Sequence, residues 1–503
     1  MKYRLRSPRF LAVIICCLFF APASSAQTFR DIIEFNESNG TAPATPVQGL
    51  DGNLYGTTSA GGNTFGVGDG TIYKLTPGGT LTTIYNFCDH SECNDGQEPF
   101  AGLVLGPDGN FYGTGQLGGK IPCVPNLYPL GCGTVFKVTP GGAFTVLHKF
   151  SFTDGDVPSA PLALGRDGNF YGTTFDGGPT DSSVTCDGSC GTIFRITPGG
   201  DFTSLYSFCT RNPSCPDGFQ PQPLMLADDG NFYGTTTFGG NLDCNAPNGC
   251  GTIFRLTPSG SFTTIYTFNQ RPGGDSPNGP LLQGADGKLY GTTIEGGSGC
   301  FGGCGTIFSI SLGGQFATVY DFDGTEGGIP YSPLIQGTDG NFYGTTAEGG
   351  NSTCTFGCGT IFQLTPGGNF TNLHDFANTD GAYPYTGLLQ ATNGAFYGAT
   401  KGGGNLDCNS PDGCGTLYAV STGLHRFVGF VQNYGAAGSE VIILGQDFMG
   451  ATAVSFNGTP ASFTIESGTW LTATVPAGAI SGTVTVTTPN GTFASNTNFQ
   501  VLP

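Results

Sequence analysis

Residues 229–236 read DGNFYGTT, and near copies of this octapeptide recur along the chain at nearly regular intervals. Asp-Gly is a favoured hairpin turn, and the aromatic and threonine residues that follow it favour a β-strand. The octapeptide therefore predicts a turn followed by a strand, seven times over. The copies start at Asp51, Asp108, Asp167, Asp229, Asp286, Asp339 and Asn393.

Two further phrases also occur seven times each. One reads GTIFQLTPGG at residues 359–368, and its copies start at Gly70, Gly133, Gly191, Gly251, Gly305, Gly359 and Gly415. The other alternates apolar and polar residues, and its copies end at Phe35, Phe87, Phe150, Phe208, Phe268, Phe322 and Phe376. Alternation of this kind is typical of a half-buried strand.

Each repeat can be divided into four predicted strands, which we label a to d. In the fourth and fifth repeats, examples are Pro280 to Leu282 for strand a, Asn231 to Thr236 for b, Gly251 to Leu256 for c, and Phe262 to Phe268 for d. Four strands in every repeat predict a propeller blade rather than a solenoid coil.

The phase of the repeats predicts that the ring of blades is closed. The strand d phrase occurs first at residues 28–36, before any complete repeat, and the last repeat has only a divergent version of it at 424–427. We therefore expect residues 28–36 to complete the last blade, which removes free sheet edges. The predicted fold is an all-β, seven-bladed β-propeller over residues 28–427.

The overall composition agrees with an all-β protein. The 503 residues include 87 glycines and 33 prolines, and only 11% are charged, while 38% are hydrophobic. This chain is too apolar to be disordered and too rich in glycine to be helical.

The N-terminal segment 1–26 has the pattern of a secretory signal peptide. Four basic residues precede the apolar stretch Phe10 to Phe20, and small residues at Ser24 and Ala26 suit cleavage before Gln27. Removal of this segment, with its four positive charges, leaves a net charge of −23, against −19 for the whole chain. Such an acidic protein is a poor partner for nucleic acid. We expect a secreted, cell-surface or periplasmic monomer with no transmembrane segment after cleavage.

Sixteen cysteines remain after the signal segment, and all of them fall into local couples. An exported protein meets an oxidising compartment, so these couples predict eight local disulfides. Zinc sites need tighter and more regular ligand spacings, so we expect no metal at the cysteines. The predicted pairs are Cys88 with Cys93, Cys123 with Cys132, Cys186 with Cys190, Cys209 with Cys215, Cys244 with Cys250, Cys300 with Cys304, Cys354 with Cys358, and Cys408 with Cys414.

All eight couples are predicted to lie on one face of the propeller. If strands a to d run outward, the a–b and c–d turns share one face, here named the turn face. The b–c loops and the crossings from strand d to the next strand a share the opposite face, here named the loop face. The loop face also holds most of the variation in loop length, and variable loops on a rigid scaffold are where binding often resides. Protection of long loops from proteolysis is the alternative role for these disulfides.

No pattern in the sequence points to catalysis. We find no nucleophile elbow, phosphate loop or His-Glu metal motif, and we predict no catalytic residue and no cofactor. Aspartates of the Asp-Gly turns are expected to cap their own turns rather than to bind calcium. His148 and His374 take the place of a strand d tyrosine, and His90 lies between two cysteines. The loop-face carboxylates are expected to be solvated charges: Asp154, Asp156, Asp176, Asp323, Glu326 and Glu348.

The repeated DGNFYGTT and GTIF units resemble the GloVer (Gloeobacter–Verrucomicrobia) tandem repeat of exported bacterial proteins, over residues 28–420. That resemblance implies export but no particular activity. Members of that family carry varied C-terminal sorting anchors. The sequence up to Pro503 has neither an anchoring helix nor a basic tail, so we expect that no such anchor attaches this protein to the cell. Residues 428–503 lack cysteine and resemble IPT/TIG domains through GQDF (445–448), VPAG (475–478) and VTVT (484–487). The resemblance implies an immunoglobulin-like β-sandwich that acts as a spacer or docking module. Trp470 is expected to be a packing residue.

These features favour a non-enzymatic extracellular binding module, with a carbohydrate or a protein bound at the disulfide-stapled loop face. A carbohydrate-active hydrolase or lyase is the alternative, and it would require a pair of acids held across the scissile bond. A structural surface or matrix protein is the third hypothesis.

Overall fold

The computed structural model describes residues 27–62, 69–88, 93–120, 123, 130–179, 190–210, 214–269, 273–300 and 303–503. The predicted signal segment 1–26, Cys186 and His90 lie outside these residues. Every regular element in the described part of the chain is a β-strand. No helix there is long and apolar enough to cross a bilayer.

The described residues of the repeat region form 31 strands, numbered here in chain order. They are β1 (Thr28–Glu34), β2 (Thr41–Pro43), β3 (Val47–Gln48), β4 (Leu54–Ala60), β5 (Thr71–Leu75), β6 (Leu81–Asn86), β7 (Val104–Leu105), β8 (Phe111–Gly115), β9 (Thr134–Val138), β10 (Phe144–Lys149), β11 (Ala163–Leu164), β12 (Phe170–Thr174), β13 (Thr192–Ile196), β14 (Phe202–Ser207), β15 (Phe219–Pro221), β16 (Met225–Leu226), β17 (Phe232–Phe238), β18 (Thr252–Leu256), β19 (Phe262–Thr267), β20 (Asp275–Pro277), β21 (Leu282–Gln283), β22 (Leu289–Glu295), β23 (Thr306–Ile310), β24 (Phe316–Asp321), β25 (Ile335–Gln336), β26 (Phe342–Thr346), β27 (Thr360–Leu364), β28 (Phe370–Asp375), β29 (Leu389–Gln390), β30 (Phe396–Ala399) and β31 (Thr416–Ser421).

These strands form seven antiparallel sheets that follow one another along the chain, named here repeat sheets 1 to 7. Each has the predicted order a-b-c-d, for example β16-β17-β18-β19 in repeat sheet 4. Strand a is shorter than the sequence indicates, because only two residues pair with strand b before the Asp-Gly turn. In repeat sheets 1, 4 and 5 a second short segment, such as β15, pairs with the far end of strand b.

The glycine after the strand b tyrosine is required by close packing within each sheet. In repeat sheet 4, a Cβ at Gly234 would lie 2.6 Å from Cζ of Phe254 on the neighbouring strand c. Phe254 is fully buried, and its ring fills the space above the glycine. The repeated Tyr-Gly-Thr is therefore a packing motif in which the missing side chain admits an aromatic ring.

Neighbouring repeat sheets are joined by aromatic stacking. Tyr171 of repeat sheet 3 packs against Phe232 of repeat sheet 4 in a tilted arrangement at 4.1 Å, and Tyr206 stacks on Phe262 at 4.1 Å further out. Aromatic pairs in this arrangement stabilise packing beyond the apolar area that they bury.

The first strand joins the two ends of the repeat region. β1 pairs antiparallel with β31 and takes the outer position of repeat sheet 7. Phe29 on β1 stacks on His374 of repeat sheet 6 at 3.7 Å, as Phe262 stacks on Tyr206. Gln48 donates a hydrogen bond to Thr392 Oγ1 at 2.9 Å, which links repeat sheets 1 and 7. First and last repeats are thus in direct contact.

The tail forms two further four-stranded sheets around its own core. One has the order β32-β34-β38-β37, the other β36-β35-β39-β40, and β33 pairs in parallel with β41. Phe448, Phe456 and Phe499 are buried between them. The strands are β32 (Gly429–Phe430), β33 (Tyr434–Ala436), β34 (Glu440–Leu444), β35 (Ala453–Phe456), β36 (Thr459–Ala461), β37 (Phe463–Ile465), β38 (Trp470–Thr474), β39 (Val484–Thr488), β40 (Gly491–Ala494) and β41 (Gln500–Leu502).

The tail packs against the turn face of the repeat region. Tyr434 donates a hydrogen bond from its hydroxyl to the Gly165 carbonyl at 2.7 Å, and Thr469 donates one to the Leu50 carbonyl at 2.6 Å. Trp470 packs with apolar residues of repeat sheets 1 and 2, which agrees with its predicted packing role. The tail is therefore docked on the repeat region, and it does not extend away from it as a free spacer would.

Candidate functional site

A cavity of about 670 Å³ lies where the inner ends of all seven repeat sheets meet. Each sheet contributes the segment that runs from the loop face into strand a. Cavities of this size are typical of small-molecule sites. A smaller cavity of about 430 Å³ lies toward the tail, and Val47, Leu103 and Leu389 line both. These three residues form the boundary between the two cavities.

A repeated proline shapes the rim of the larger cavity. In each repeat sheet this proline packs against the glycine that opens a strand c, for example Pro221 against Gly191. The residue before it has a positive φ every time, and at Val157 and Ile329 a β-branched residue takes this strained conformation. Strain repeated at one position often accompanies a functional site. The seven positive-φ residues are Ala42, Glu98, Val157, Gln220, Ser276, Ile329 and Tyr383.

The residue after each proline lines the cavity, so one side chain from every repeat sheet forms a ring. We name this set the rim ring. Its residues differ in nearly every repeat, as do those immediately before the proline. Its members are Ala44, Phe100, Ser159, Gln222, Asn278, Tyr331 and Tyr385.

The rim ring has a polar arc and an aromatic arc. Ser159, Gln222 and Asn278 come from the consecutive repeat sheets 3, 4 and 5 and offer hydrogen-bonding groups. Tyr331, Tyr385 and Phe100 come from repeat sheets 6, 7 and 2, with the small Ala44 between the last two. Phe100 keeps 51% of its surface exposed, which is unusual for a large apolar side chain. The cavity therefore presents hydrogen-bonding groups on one side and rings on the other.

The aromatic arc is a connected cluster that carries one lysine. The rings of Tyr331 and Tyr385 meet edge to face at 4.9 Å, and Tyr383 stacks near Tyr385 at 6.3 Å. Lys401 Nζ lies over the Tyr385 ring, 5.4 Å from its centroid. Among the described residues that line the cavity, Lys401 is the one charged side chain.

The cavity tyrosines are not poised for base catalysis. Burial raises the pKa of the Tyr331 phenol, and the carboxylates of Glu348 and Glu295 raise it further. The pKa of Tyr385 is also raised, first by burial and then by neighbouring groups that include Glu348. Both phenols are therefore protonated at neutral pH, so each can donate a hydrogen bond but neither can act as a phenolate base.

No carboxylate is found among the described residues that line the cavity. The predicted loop-face carboxylates lie elsewhere. Asp154 accepts hydrogen bonds from His148 and from the Ser151 amide, and Glu326 contacts the Tyr320 hydroxyl. The prediction of a solvated charge is wrong for Asp156, which is only 1% exposed. A hairpin-like crossing brings this aspartate inward from the loop face and sets it against Asp176.

His148 and His374 have the packing role expected of them. His148 stacks on Phe202 at 3.8 Å and bonds Asp154 at 3.2 Å. In the same way Tyr206 stacks on Phe262 and donates a hydrogen bond to Asp217 at 2.8 Å. The histidines thus replace a tyrosine in both its stacking and its hydrogen bond.

The structure joins seven of the eight predicted cysteine couples as disulfides, and Cys190 is also disulfide-bonded. Local disulfides of this kind fit an extracellular or periplasmic protein. Four groups of three candidate metal ligands occur among the described residues, and each includes at least two of these cysteines. Sulfur held in a disulfide is not the thiolate that binds metal.

The Asp-Gly turns use their aspartates locally. Asp229 accepts hydrogen bonds from the Asn231 side chain and amide and from the Tyr233 hydroxyl, all at 2.9 Å. Burial alone would raise the pKa of Asp229, but these hydrogen bonds outweigh it and lower the pKa. A carboxylate satisfied in this way has little capacity left for a calcium ion.

Sequence reasoning missed the rim ring. The repeated strand aromatic Tyr233 is buried between sheets, whereas Phe100, Tyr331 and Tyr385, which no repeated phrase contains, line the cavity. A partial signal is present in the sequence, because an aromatic residue follows the repeated proline in three of the seven repeats, at Phe100, Tyr331 and Tyr385.

Comparison with known proteins identifies the repeat and the fold. The model of the Gloeobacter/Verrucomicrobia repeat family matches residues 18–243 and 220–487. No curated protein matches the chain at a significant level. The structure of a streptogramin B lyase aligns with a TM-score of 0.50 and 16% identity, over 78% of this chain and 97% of the lyase. The likeness shows that the fold is β-propeller-like.

Two sugar-related enzymes align less well. A gluconolactonase from Xanthomonas campestris has a TM-score of 0.36 and 11% identity, over 64% of this chain and 86% of its own. An aldose sugar dehydrogenase from Streptomyces coelicolor has a TM-score of 0.38 and 14% identity, over 67% of this chain and 98% of the dehydrogenase.

Proposed function

The chain belongs to the Gloeobacter/Verrucomicrobia repeat family, and we propose that it is an exported, non-enzymatic binding protein that takes a carbohydrate into the central cavity of a closed propeller. The rim ring is the observation that carries this proposal. It joins a hydrogen-bonding arc to an aromatic arc in one cavity, and a sugar offers both hydroxyl groups and an apolar ring face.

Seven blades and a closed ring are part of the proposal. Seven sheets share one strand order, β1 completes the last of them, and each contributes one residue to the rim ring. A closed ring holds the rim residues at fixed separations, and such preorganisation lowers the entropic cost of binding.

The tail is proposed to be an immunoglobulin-like domain of the IPT/TIG type that closes the turn-face end of the cavity. Two four-stranded sheets around one core support this assignment. The smaller cavity is lined by Phe427, Phe430 and Leu444 together with residues of strand a. A ligand would then enter and leave only through the loop face.

Export through cleavage near Ala26 completes the proposal, and the local disulfides support it. Each short disulfide is expected to stabilise its loop by about 2 kcal/mol. Disulfides in the loops around the cavity mouth would hold the binding site in one conformation outside the cell.

Binding without turnover is favoured over the hydrolase or lyase alternative by the charges in the cavity. A glycosidase places two carboxyl groups across the scissile bond, and the described lining residues include none. The tyrosines have raised pKa values, which removes the readiest alternative base. The one structural observation that would suit a lyase is Lys401 beside Tyr385.

Calorimetric titration of residues 27–503 with soluble cello-, xylo- and chito-oligosaccharides tests the proposal. We expect saturable binding of one class and at least a tenfold loss of affinity in Tyr331→Ala/Tyr385→Ala. Phe356→Ala is the matched control, because this aromatic ring is 71% exposed on the loop face but outside the cavity. Release of reducing sugar or unsaturated product would favour the enzyme alternative, and no binding of any class would contradict the proposal.

A further inference from the structure

Repeat sheet 7 brings a lysine to the central cavity at a position where the other repeats have no charge. Lys401 directly follows the seventh copy of the octapeptide, and its amide donates a hydrogen bond to the Tyr383 carbonyl at 3.1 Å. Six repeats fold without a cation there, so packing of the repeat does not require one. The corresponding residues of repeat sheets 1 to 6 are Ser59, Gln116, Phe175, Thr237, Ile294 and Ala347.

The ammonium group of Lys401 has no counter-ion in the part of the chain that the structure describes. None of the ion pairs found there includes it. Its Nζ lies over the ring of Tyr385, 5.4 Å from the centroid. A cation–π contact leaves the N–H donors of an ammonium group free, so Lys401 can still bind an anion.

Other polar groups of the cavity are also unused by the protein. Among the described residues, the side chains of Ser159, Asn278, Tyr331 and Tyr385 line the cavity without a hydrogen-bond partner. Both phenols keep their protons at neutral pH, so they offer O–H donors beside the N–H donors of Lys401. A carboxylate or a sulfate accepts such bonds, and charge makes them stronger than bonds between neutral groups.

The charge of the cavity lining is opposite to that of the protein as a whole. Without segment 1–26 the chain has a net charge of −23. The described lining residues, in contrast, carry the positive charge of Lys401 and no carboxylate. A concave site with walls of low dielectric constant concentrates the field of its lining charges. The cavity therefore favours a ligand with a negative group over a cationic one.

Two glutamates near the cavity limit how much negative charge a ligand can bring. The pKa of Tyr331 is raised by burial and then by the carboxylates of Glu348 and Glu295. Both carboxylates are thus close enough to act on a charge in the cavity, although neither residue lines it. One cation near two carboxylates favours a ligand with a single negative group among neutral units, rather than a dense polyanion.

We propose that the central cavity binds an acidic oligosaccharide, in which Lys401 holds the carboxylate or sulfate of one sugar unit while the polar and aromatic arcs hold its neutral neighbours. This inference rests on the proposed function, because it names the class of carbohydrate for the same cavity. The position of Lys401 beside Tyr385 suits such a unit, since a sugar can pack on the ring while its negative group meets the ammonium.

Calorimetric titration of residues 27–503 with matched neutral and acidic ligands tests the inference at pH 7.5. Each tetrasaccharide of the cello-, xylo- and chito- series is compared with a derivative of the same backbone that carries one uronic acid or one sulfate. We expect one singly charged derivative to bind at least about tenfold more tightly than its neutral parent. The derivative that gains affinity identifies the anion as a carboxylate or a sulfate. A derivative with an acidic group on every unit should bind more weakly than the singly charged one.

Variants of two lysines assign the preference to one side chain. Lys401→Met keeps the apolar stem and should abolish the preference for the acidic ligand, whereas Lys401→Arg should retain it. Lys120→Met is the matched control, because Lys120 is an exposed lysine of the loop face that does not line the cavity. An equal loss of preference in both methionine variants would assign it to overall charge and overturn the role of Lys401.

The possible outcomes separate this inference from the proposed function. Neutral ligands that bind as tightly as their acidic derivatives would overturn the acidic ligand and leave the carbohydrate site in place. Binding of neither kind would overturn both. Tighter binding of an acidic ligand, followed by release of an unsaturated product, would support the acidic ligand but overturn the non-enzymatic role.

Discussion

The turn face and the loop face are made from the same seven repeats, but they differ in how completely their polar groups are satisfied. On the turn face, aspartates such as Asp229 are held by their own turns, and the tail contacts turns such as that of Gly165. On the loop face, Asp156 is buried beside Asp176, the rim ring changes from repeat to repeat, and a cavity stays open. In this molecule, the repeats keep nearly the same residues at the Asp-Gly turns, where the polar groups have partners. They vary at the rim ring, where a ligand could supply the contacts.

The largest expected effect tests how strictly the repeated packing is fixed. We expect Gly234→Ala to lower the free energy of unfolding by about 3 kcal/mol, because the new Cβ would overlap the buried ring of Phe254. Gly199→Ala, in the turn between strands c and d, has no heavy atom closer than 3.7 Å and should change stability little. Urea unfolding of the two variants checks this, and equal effects would show that the packing can adapt.

The second prediction concerns the pH dependence of stability that Asp156, a loop-face residue, contributes. Burial, reinforced by Asp176, raises the pKa of Asp156 to about 6. The folded protein therefore keeps a proton there that the unfolded chain releases near pH 4, so stability falls as pH rises from 4 to 6. In buffer that contains a chelator, ionisation of Asp156 should lower the free energy of unfolding by about 2 to 3 kcal/mol between pH 4 and 7.

Asp156→Asn supplies the control for that pH dependence. The variant cannot ionise at this position, so its stability should fall less than that of the wild type over the same pH range. Parallel curves for the two proteins, measured by urea unfolding at each pH, would contradict the assignment.

The third prediction is the turn-face counterpart of the second. Asp229→Ala should lower the free energy of unfolding by about 1 to 2 kcal/mol, since the Tyr233 hydroxyl and the Asn231 amide lose their acceptor. Asp229→Asn should cost less, because the natural Asn393 turn still bonds its tyrosine, Tyr397, at 2.9 Å. An equal loss in the two variants would mean that charge, rather than hydrogen bonding, stabilises the turn.

The smallest effect is expected where the tail meets the turn face. Arg166 donates hydrogen bonds to Gln500 Oε1 at 2.6 Å and to the Asp228 carbonyl at 2.7 Å. Arg166→Met should lower stability by less than about 1 kcal/mol, because the site is partly solvated and the apolar stem is retained. A loss several times larger would show that docking of the tail depends on this one side chain.

The order and spacing of the repeated phrases predicted most of the fold. Strand order and the pairing of cysteines such as Cys244 and Cys250 follow from local sequence, and the position of residues 28–36 beside Tyr418 follows from the phase of the repeats; the structure agrees with all three. Strand a was predicted too long, because apolar residues such as Leu281 are buried between sheets without ladder hydrogen bonds.

The candidate site could not be predicted as fully. Whether Tyr331 lines a cavity or fills a core depends on how the seven repeat sheets pack together, which no single repeat specifies. Burial of Asp156 depends on a bridge between two loops that are separated in the chain by strands β11 and β12, and an aspartate in a loop is solvated in most proteins. Both features result from tertiary packing, which overrides the local signal.

The pairing of β1 with β31 also constrains the order in which the molecule can form. Phe29, near the start of the repeat region, meets Val420 at its far end, so the strand made first must stay unpaired until the last repeat has been synthesised. Contacts of such long range slow folding and expose unpaired edges in the meantime. Repeat sheets 1 to 6 can each assemble from contiguous chain, whereas repeat sheet 7 must wait for both ends. Ring completion is therefore expected to be the slow step, and truncation before residue 416 would leave β1 without a partner.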